Sequence, residues 1–326
     1  MKLITFKPRS GGKPTIGCLV DDDQAILNIP RTLGAEPAFE SMQSLIEAGP
    51  EHWDRVREAS VGKGVRQAHR VPLADAVLLA PVPRPIQMRD FGCFSEHFHN
   101  CTEVRLRQKA ASAADPEAAY QALIKAGRRE LPRDYFERPR FYTCNRLSVV
   151  GDGTVVPWPH MTRQLDFELE FGVFVGITAK DVSEEEAARH IFGYTIFNDL
   201  TMRDVQQAEE RTGGKNKDFD CGNVMGPCIV TPDEIGDPYS LRAIARVNGE
   251  VWCDNNTRTM DRSFEQVISY MSQAQTLHAG EFLASGTVGT GCGLERDRYL
   301  NPGDVVELEV ERIGTLRTII GNRSEQ

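Results

Sequence analysis

The sequence predicts an α+β protein, mainly β, and three observations carry that expectation. After residue 140, apolar runs of strand length follow one another: RLSVV, DFELEFGVFVG, GPCIV, RAIARV, EVWC, FLASGTV and VVELEVERIGTL. Turn dipeptides punctuate them, at Asp152-Gly153 and Asn248-Gly249, the second a two-residue hairpin signal. No regular alternation of strand and helix runs along the 326 residues, which disfavours a doubly wound sheet or an α/β barrel.

Taken in order, residues 1–30 read as short strands, with LITF, TIGCLV and AILNI separated by Gly, Pro and Asp turn residues. Residues 38–58 turn helical, because Met42, Leu45 and Ile46 recur at helical spacing. The three prolines of LLAPVPRPIQMRD then forbid regular helix and suggest a rigid connector. A boundary near residue 75 follows, with a small domain over 1–75 and a larger one over 76–326. Within the larger domain, 101–138 is rich in Ala, Arg, Glu and Gln and broken at Asp115-Pro116, so it reads as a helical insertion or lid. Two further helices are expected, at 183–192 behind a Ser183 cap with an acidic first turn, and at 199–210.

Charge and cysteine usage narrow the function classes. The 47 acidic residues outweigh 38 basic ones, and a formal net charge of -9 argues against a surface built to neutralise phosphates, so no nucleic-acid partner is expected. No run approaches the roughly 20 apolar residues of a membrane helix, so no membrane partner is expected either. The 8 cysteines contain no CxxC pair and read as small buried apolar residues in a reducing, cytoplasmic compartment.

Three clusters could carry chemistry. In LDFELEFGVFVG, period-two alternation puts Asp166, Glu168 and Glu170 on one face of a strand. Like charges that close together in an apolar sheet call for a cation, so the segment suggests a hard divalent metal; the alternative is the wet face of an edge strand. In FNDLTMRDVQQ, with Asn198 as cap, Asp199, Arg203 and Gln206 fall on one helical face, either as a site or as a solvated ion pair. RDFGCFSEHFHN offers Asp90, Glu96, His97 and His99, with His97 as a candidate general base. His97-x-His99 followed by Glu103 also resembles a cupin metal motif, but its glycines are misplaced and the next forty residues look helical. The Gly-rich stretches GTVGTGCG and GGKNK fit no nucleotide-binding pattern and read as backbone-approach loops, with Thr287 and Lys217 as polar contributors.

Together these segments resemble the fumarylacetoacetate hydrolase family. The matching pieces are DFGCFSEH from Asp90, PRF and RLSVVG, LDFELEFGVFVG, FNDLTMRDVQ, KDFD from Lys217, GP at 226–227, LASGTVG and LNPGDVVELEVERIGTL, collinear over roughly 85–318. The resemblance implies a mixed β-roll catalytic domain that forms a homodimer, preceded by a small N-terminal α+β domain. It implies that Asp90, Glu168, Glu170 and Asp199 bind a divalent metal, Mg2+ or Mn2+ with Ca2+ as a further option. It assigns His97 as the water-activating base and sets Arg203, Gln206, Lys217 and Thr287 against the substrate. Relatives that pair this histidine with a Glu three residues later have Asn100 in its place here, so Glu295 becomes the candidate partner.

The implied reaction is hydrolysis of a C–C bond in a 2,4-diketo acid of fumarylacetoacetate or acylpyruvate type, through an enolate that the metal stabilises. Within the family the alternatives are oxaloacetate decarboxylation or tautomerisation, and hydration or isomerisation of a 2-oxo-dienoate. Of another class is a metal-stabilised binding protein without activity.

Overall fold

The computed structural model describes residues 1–323 apart from 63–68 and 212, and its organising element is a twelve-stranded, mostly antiparallel sheet. Its edge is a meander of Lys2–Pro8, Thr15–Val20 and Ala25–Asn28, closed by Arg70–Pro72. Lys2–Pro8 pairs in turn with Asn223–Val230, so the first strands continue the same sheet as the central ones. The order then runs through Ile191–Asp199, Leu169–Val175, Phe282–Ala284, Met88–Phe91 and Phe141–Thr143. A five-stranded sheet, from Glu250–Asn256 through Arg242–Val247, Val305–Val310 and Gly314–Ile320 to Thr154–Val156, packs alongside. The architecture is mixed α+β, as the sequence predicts, with rather more helix than the strand runs suggest.

Local signals account for several elements. Asn248 and Gly249 take φ of 52° and 81° between Arg242–Val247 and Glu250–Asn256, the left-handed pair that a tight hairpin requires. Ser41 caps Met42–Ala48, accepting from the Ser44 amide, and helix Pro50–Val61 lays Trp53 edge-on to Phe192 with ring centroids 5.0 Å apart. Ser183 and Glu186 form a capping box, but that helix ends at Ala187 and passes through a 3-10 turn into strand from Ile191, earlier than expected. Among the described residues no helix is long and apolar enough to cross a membrane.

Two further expectations change in ways that matter for the site. Strand Ile191–Asp199 carries Asp199 at its end, and the helix begins only at Arg203. Pairing on both sides, with Leu169–Val175 and with Asn223–Val230, outweighs the helical spacing of the polar residues. The expected continuous strand 165–176 is also broken: Leu165–Asp166 pairs with Thr201–Met202, and a separate strand runs Leu169–Val175. Asp166 therefore belongs to a different pairing from Glu170, and Glu168 lies between the two, bridged to Cys292.

Candidate active site

Register alone brings three carboxylates together. Glu170 lies opposite Phe197, and Asp199 is two residues further along that strand, hence on the same face. Gly172 lies opposite Ala284 and Ala284 opposite Asp90, so Asp90 joins that face from the next strand but one. The face is apolar at its other end, where Phe282 packs against Phe174 and Phe197 at 5.0 and 5.5 Å between centroids. Its polar end is the set Asp90, Glu170 and Asp199, all buried, with one carboxylate oxygen from each lying within 4.8 Å of the others.

The chemistry of these oxygens fits a hard divalent cation. Asp90 Oδ1, Glu170 Oε2 and Asp199 Oδ1 are buried without a hydrogen-bond partner. Burial and the Asp199 charge push the Asp90 carboxyl up to about 7, and burial and the neighbouring carboxylates raise Glu170 well above its ordinary value. Buried carboxylates without a cation must share protons or take up a metal, and all-oxygen ligands suit Mg2+, Mn2+ or Ca2+.

Glu168 stands beside this set with both oxygens engaged. Oε1 accepts from Arg203 Nη2 at 2.6 Å and Oε2 from Lys217 Nζ at 2.5 Å. Burial alone would raise its carboxyl, but Lys217 and Arg203 outweigh burial and hold it well below the usual carboxylate range. Lys217 also donates to the Asp199 carboxylate and, at 3.2 Å, to its backbone carbonyl. Arg203 donates from Nε to Asp166 Oδ2 at 2.8 Å and from Nη1 to Gln206 Oε1 at 3.1 Å. Arg203, Gln206 and Lys217 are thus buried within the network that orients the carboxylates.

Asp166 has a role that its spacing conceals. Its carboxylate accepts from the Gly293 and Leu294 amides at 2.8 and 3.0 Å as well as from Arg203, fastening the glycine-rich loop to the site. A side chain at Gly293 would meet Arg298 O at 2.1 Å and Asp166 Oδ1 at 2.5 Å, which is the close approach expected of this loop. Thr287, on the same loop, lies with Oγ1 3.3 Å from Glu170 Oε1. Asp166→Ala strips a partner from buried Arg203 and leaves two amides unsatisfied, so it should lower unfolding stability by about 3–5 kcal/mol. Denaturant titration of the metal-free variant is the measurement, and a loss under 1 kcal/mol would remove Asp166 from this anchoring role.

His97 enters from helix Ser95–Ala110, which starts earlier than the insertion expected from composition. Its Nδ1 is 2.9 Å from Glu295 Oε1, and its Nε2 is 3.9 Å from Glu168 Oε1. Asn100 Nδ2 and the Thr290 amide donate to Glu295 Oε2 at 2.8 and 2.6 Å, so Asn100 helps to hold the very carboxylate that partners the histidine. Burial opposes the charged imidazole, but Glu295 and Cys292 together outweigh it and raise His97 well above its ordinary value. The helical setting removes the cupin alternative, and Glu103 instead accepts from Tyr120 and Arg107.

Sequence reasoning missed several neighbours. Tyr142 donates its hydroxyl to Asp199, and Arg105, two turns beyond His97, donates to Gln206. Tyr142 and Lys217, which both donate to Asp199, also line a cleft of about 520 Å3 whose wall carries Arg211, Lys215 and Lys217 against the single carboxylate of Asp218. The i, i+4, i+8 recurrence of His97, Cys101 and Arg105 on one helical face is the signal that could have found Arg105.

Residues 109–320 match the family model for the C-terminal domain of fumarylacetoacetate hydrolase. The oxaloacetate tautomerase YisK of Bacillus subtilis is 31% identical over 252 residues, 76% of this chain and 74% of that protein. A fumarylacetoacetate hydrolase from psychrophilic Exiguobacterium antarcticum superposes with a TM-score of 0.72 at 26% identity, covering 99% of this chain and 100% of that one. The fold of maleylpyruvate hydrolase from Sphingobium is also shared, with a TM-score of 0.70 at 20% identity and coverage of 99% and 100%.

Proposed function

The chain belongs to the fumarylacetoacetate hydrolase family, and from that membership we propose that it is a metal-dependent enzyme that hydrolyses a C–C bond of a 2,4-diketo acid of fumarylacetoacetate or acylpyruvate type. One juxtaposition carries the reading: three buried carboxylates with unpartnered oxygens stand next to an imidazole that a fourth carboxylate orients. Asp90, Glu170 and Asp199 would hold Mg2+ or Mn2+, with Ca2+ as a further option, and Glu168 would steady the site through Arg203 and Lys217. The ion supplies Lewis acidity to the 2-oxo-carboxylate end of the substrate.

The remaining work falls to the chain's own residues. Glu295 accepts the Nδ1 proton of His97, which leaves Nε2 as the acceptor that takes a proton from water. The resulting hydroxide attacks the distal carbonyl, and the field of Arg203 and Lys217 favours the oxyanion. As the C–C bond breaks, the imidazolium returns its proton to the departing carbon. The cationic cleft at Arg211, Lys215 and Lys217 draws the anionic acid in, despite the net charge of -9.

A second reading, keto–enol tautomerisation of oxaloacetate, is favoured by the likeness to the Bacillus enzyme. It uses His97 on a carbon-bound proton instead of water. A panel of acylpyruvates, fumarylacetoacetate, oxaloacetate and 2-oxo-dienoates, assayed with Mg2+ or Mn2+ and with products identified, separates the two. Turnover of oxaloacetate alone replaces the first reading with the second, and metal-dependent turnover of none leaves a binding protein. The homodimer that the resemblance implies is checked by sedimentation across a dilution series.

The proposed lid is the segment 101–138, which takes in the C-terminal part of helix Ser95–Ala110 and helix Pro116–Lys125. Leu106, Ala110 and Tyr120 form its own small core, and the Tyr120 hydroxyl donates to Glu103 at 2.6 and 2.7 Å. Oxalate, a mimic of a 2-oxo acid enolate, should slow amide exchange across 116–130 at least threefold when added with Mg2+. Unchanged exchange at saturation would make the pair a static element.

A further inference from the structure

On the far side of Glu168 from Lys217, the histidine dyad is surrounded by sulfur. Cys101 Sγ lies 3.7 Å from His97 Nδ1, and Cys292 Sγ lies 4.0 Å from the same nitrogen and 3.5 Å from Glu295 Oε1. His97 and Cys101 are one helical turn apart on Ser95–Ala110, while Cys292 precedes and Glu295 lies within the 3-10 turn Leu294–Arg296 that closes the glycine-rich loop. One donor atom from each of the four residues lies within 4.8 Å of the others. Cys101 is 9% exposed, Cys292 0% and the Glu295 side chain 1%.

Two buried thiols can simply fill a core, and Cys101, Cys292 and Leu294 do form a small apolar cluster. The packing reading accounts for the sulfurs but not for their convergence on the imidazole nitrogen and carboxylate of the dyad. A tetrahedral zinc-class ion, with bonds of about 2.3 Å to sulfur and about 2.0–2.1 Å to nitrogen or oxygen, places its ligand atoms roughly 3.3–3.8 Å apart. The separations of 3.7, 4.0 and 3.5 Å approach that figure, the 2.9 Å contact between His97 and Glu295 has to open, and the remaining pairs lie within 4.8 Å.

We propose that His97, Cys101, Cys292 and Glu295 form a second, soft metal site for a Zn2+-class ion, and that its occupancy switches off the base. Binding displaces the two thiol protons to solvent, so the ion, two thiolates and one carboxylate carry a net charge of minus one. Arg105 and Arg203 both interact electrostatically with Cys101 and Cys292 and offset that charge. The hard ion preferred by Asp90, Glu170 and Asp199 and the soft ion preferred by sulfur are sorted by ligand type. With metal on Nδ1, a neutral imidazole carries its proton on Nε2, which then has no lone pair for water. This last step rests on the proposed role of His97 as the base, whereas the site itself does not.

The test uses the full chain saturated with Mg2+ and kept reduced with a phosphine. One equivalent of Co2+ should bring thiolate-to-cobalt charge-transfer absorption and tetrahedral cobalt bands, and both should vanish in Cys101→Ala/Cys292→Ala while persisting in Asp199→Asn. X-ray absorption on the wild-type zinc form, which needs no variant to fold, should find a sulfur shell at about 2.3 Å. A shell of nitrogen and oxygen alone, or cobalt bands that survive loss of both thiols, overturns the proposal. On whichever substrate of the panel is turned over, one equivalent of Zn2+ should reduce kcat at least tenfold, and Cys101→Ala should need at least tenfold more. Equal inhibition of Cys101→Ala points to displacement of Mg2+ at the carboxylates and overturns the switch. A sulfur shell with full turnover retains the metal site and removes His97 from the role of base.

Discussion

Glu170→Gln and Glu168→Gln, two residues apart, should have opposite effects on the metal-free protein. Glu170 meets Asp90 and Asp199, and Lys217 pairs directly with Asp199 alone of the three, so replacing the crowded Glu170 carboxyl with an amide relieves repulsion and should leave the metal-free melting temperature unchanged or higher. The same change takes an anionic ligand from the proposed metal set, and Mg2+ or Mn2+ affinity should fall by at least about 100-fold, the upper end of what even a ligand's supporting partner costs. Turnover falls with it. Glu168 instead neutralises Lys217 and Arg203, and an amide there leaves two buried cations short of a partner. Its melting temperature should drop with or without metal, by an equivalent of about 3–5 kcal/mol. Calorimetric titration and thermal melts on both variants decide the matter. Equal loss of metal affinity with no loss of stability in Glu168→Gln would return Glu168 to the ligand set implied by the family resemblance.

The contrast also marks how far the sequence could be read. Strand-rich character, the Asn248-Gly249 hairpin and the helical composition after residue 101 were legible because each depends on local propensity. Asp90, Glu170 and Asp199 were legible as a group through collinear motifs. The strand register then gives their proximity a physical basis, with Gly172, Ala284 and Asp90 aligned across neighbouring strands. Alternation was interrupted at Asp166 because Leu165–Asp166 pairs with Thr201–Met202 instead of continuing the strand that begins at Leu169, while Glu168 joins through a bridge to Cys292. Asp199 read as helical because its polar neighbours have helical spacing, but strand pairing on both sides holds it. Tyr142 on Asp199, Arg105 on Gln206 and the meeting of Cys101 with Cys292 are tertiary contacts between distant segments, and only the Arg105 face left a periodic trace.

His97→Ala should lose turnover by about 100-fold to 10,000-fold while keeping the divalent metal, because a positioned base contributes that much and the imidazole is outside the carboxylate set. Glu295→Gln makes the argument sharper. Glu295 Oε1 lies against Nδ1, and Oε2 is held by Asn100 and the Thr290 amide, so the carboxylate fixes which nitrogen faces Glu168. An amide there can turn its NH2 towards Nδ1, which favours the tautomer with the proton on Nε2, the wrong nitrogen for accepting one. The expected result is a lower kcat with KM changed less than threefold, and an activity limb that moves towards acid because the charge that raises the imidazole is gone. The sign follows from the linkage: loss of the Glu295 charge lowers the His97 pKa, so neutral imidazole appears at lower pH. His99→Ala is the control, since His99 belongs to neither metal-capable group among the described residues. If it cost as much turnover as His97→Ala, or if Glu295→Gln left both kcat and its pH profile unchanged, the dyad would not be the base.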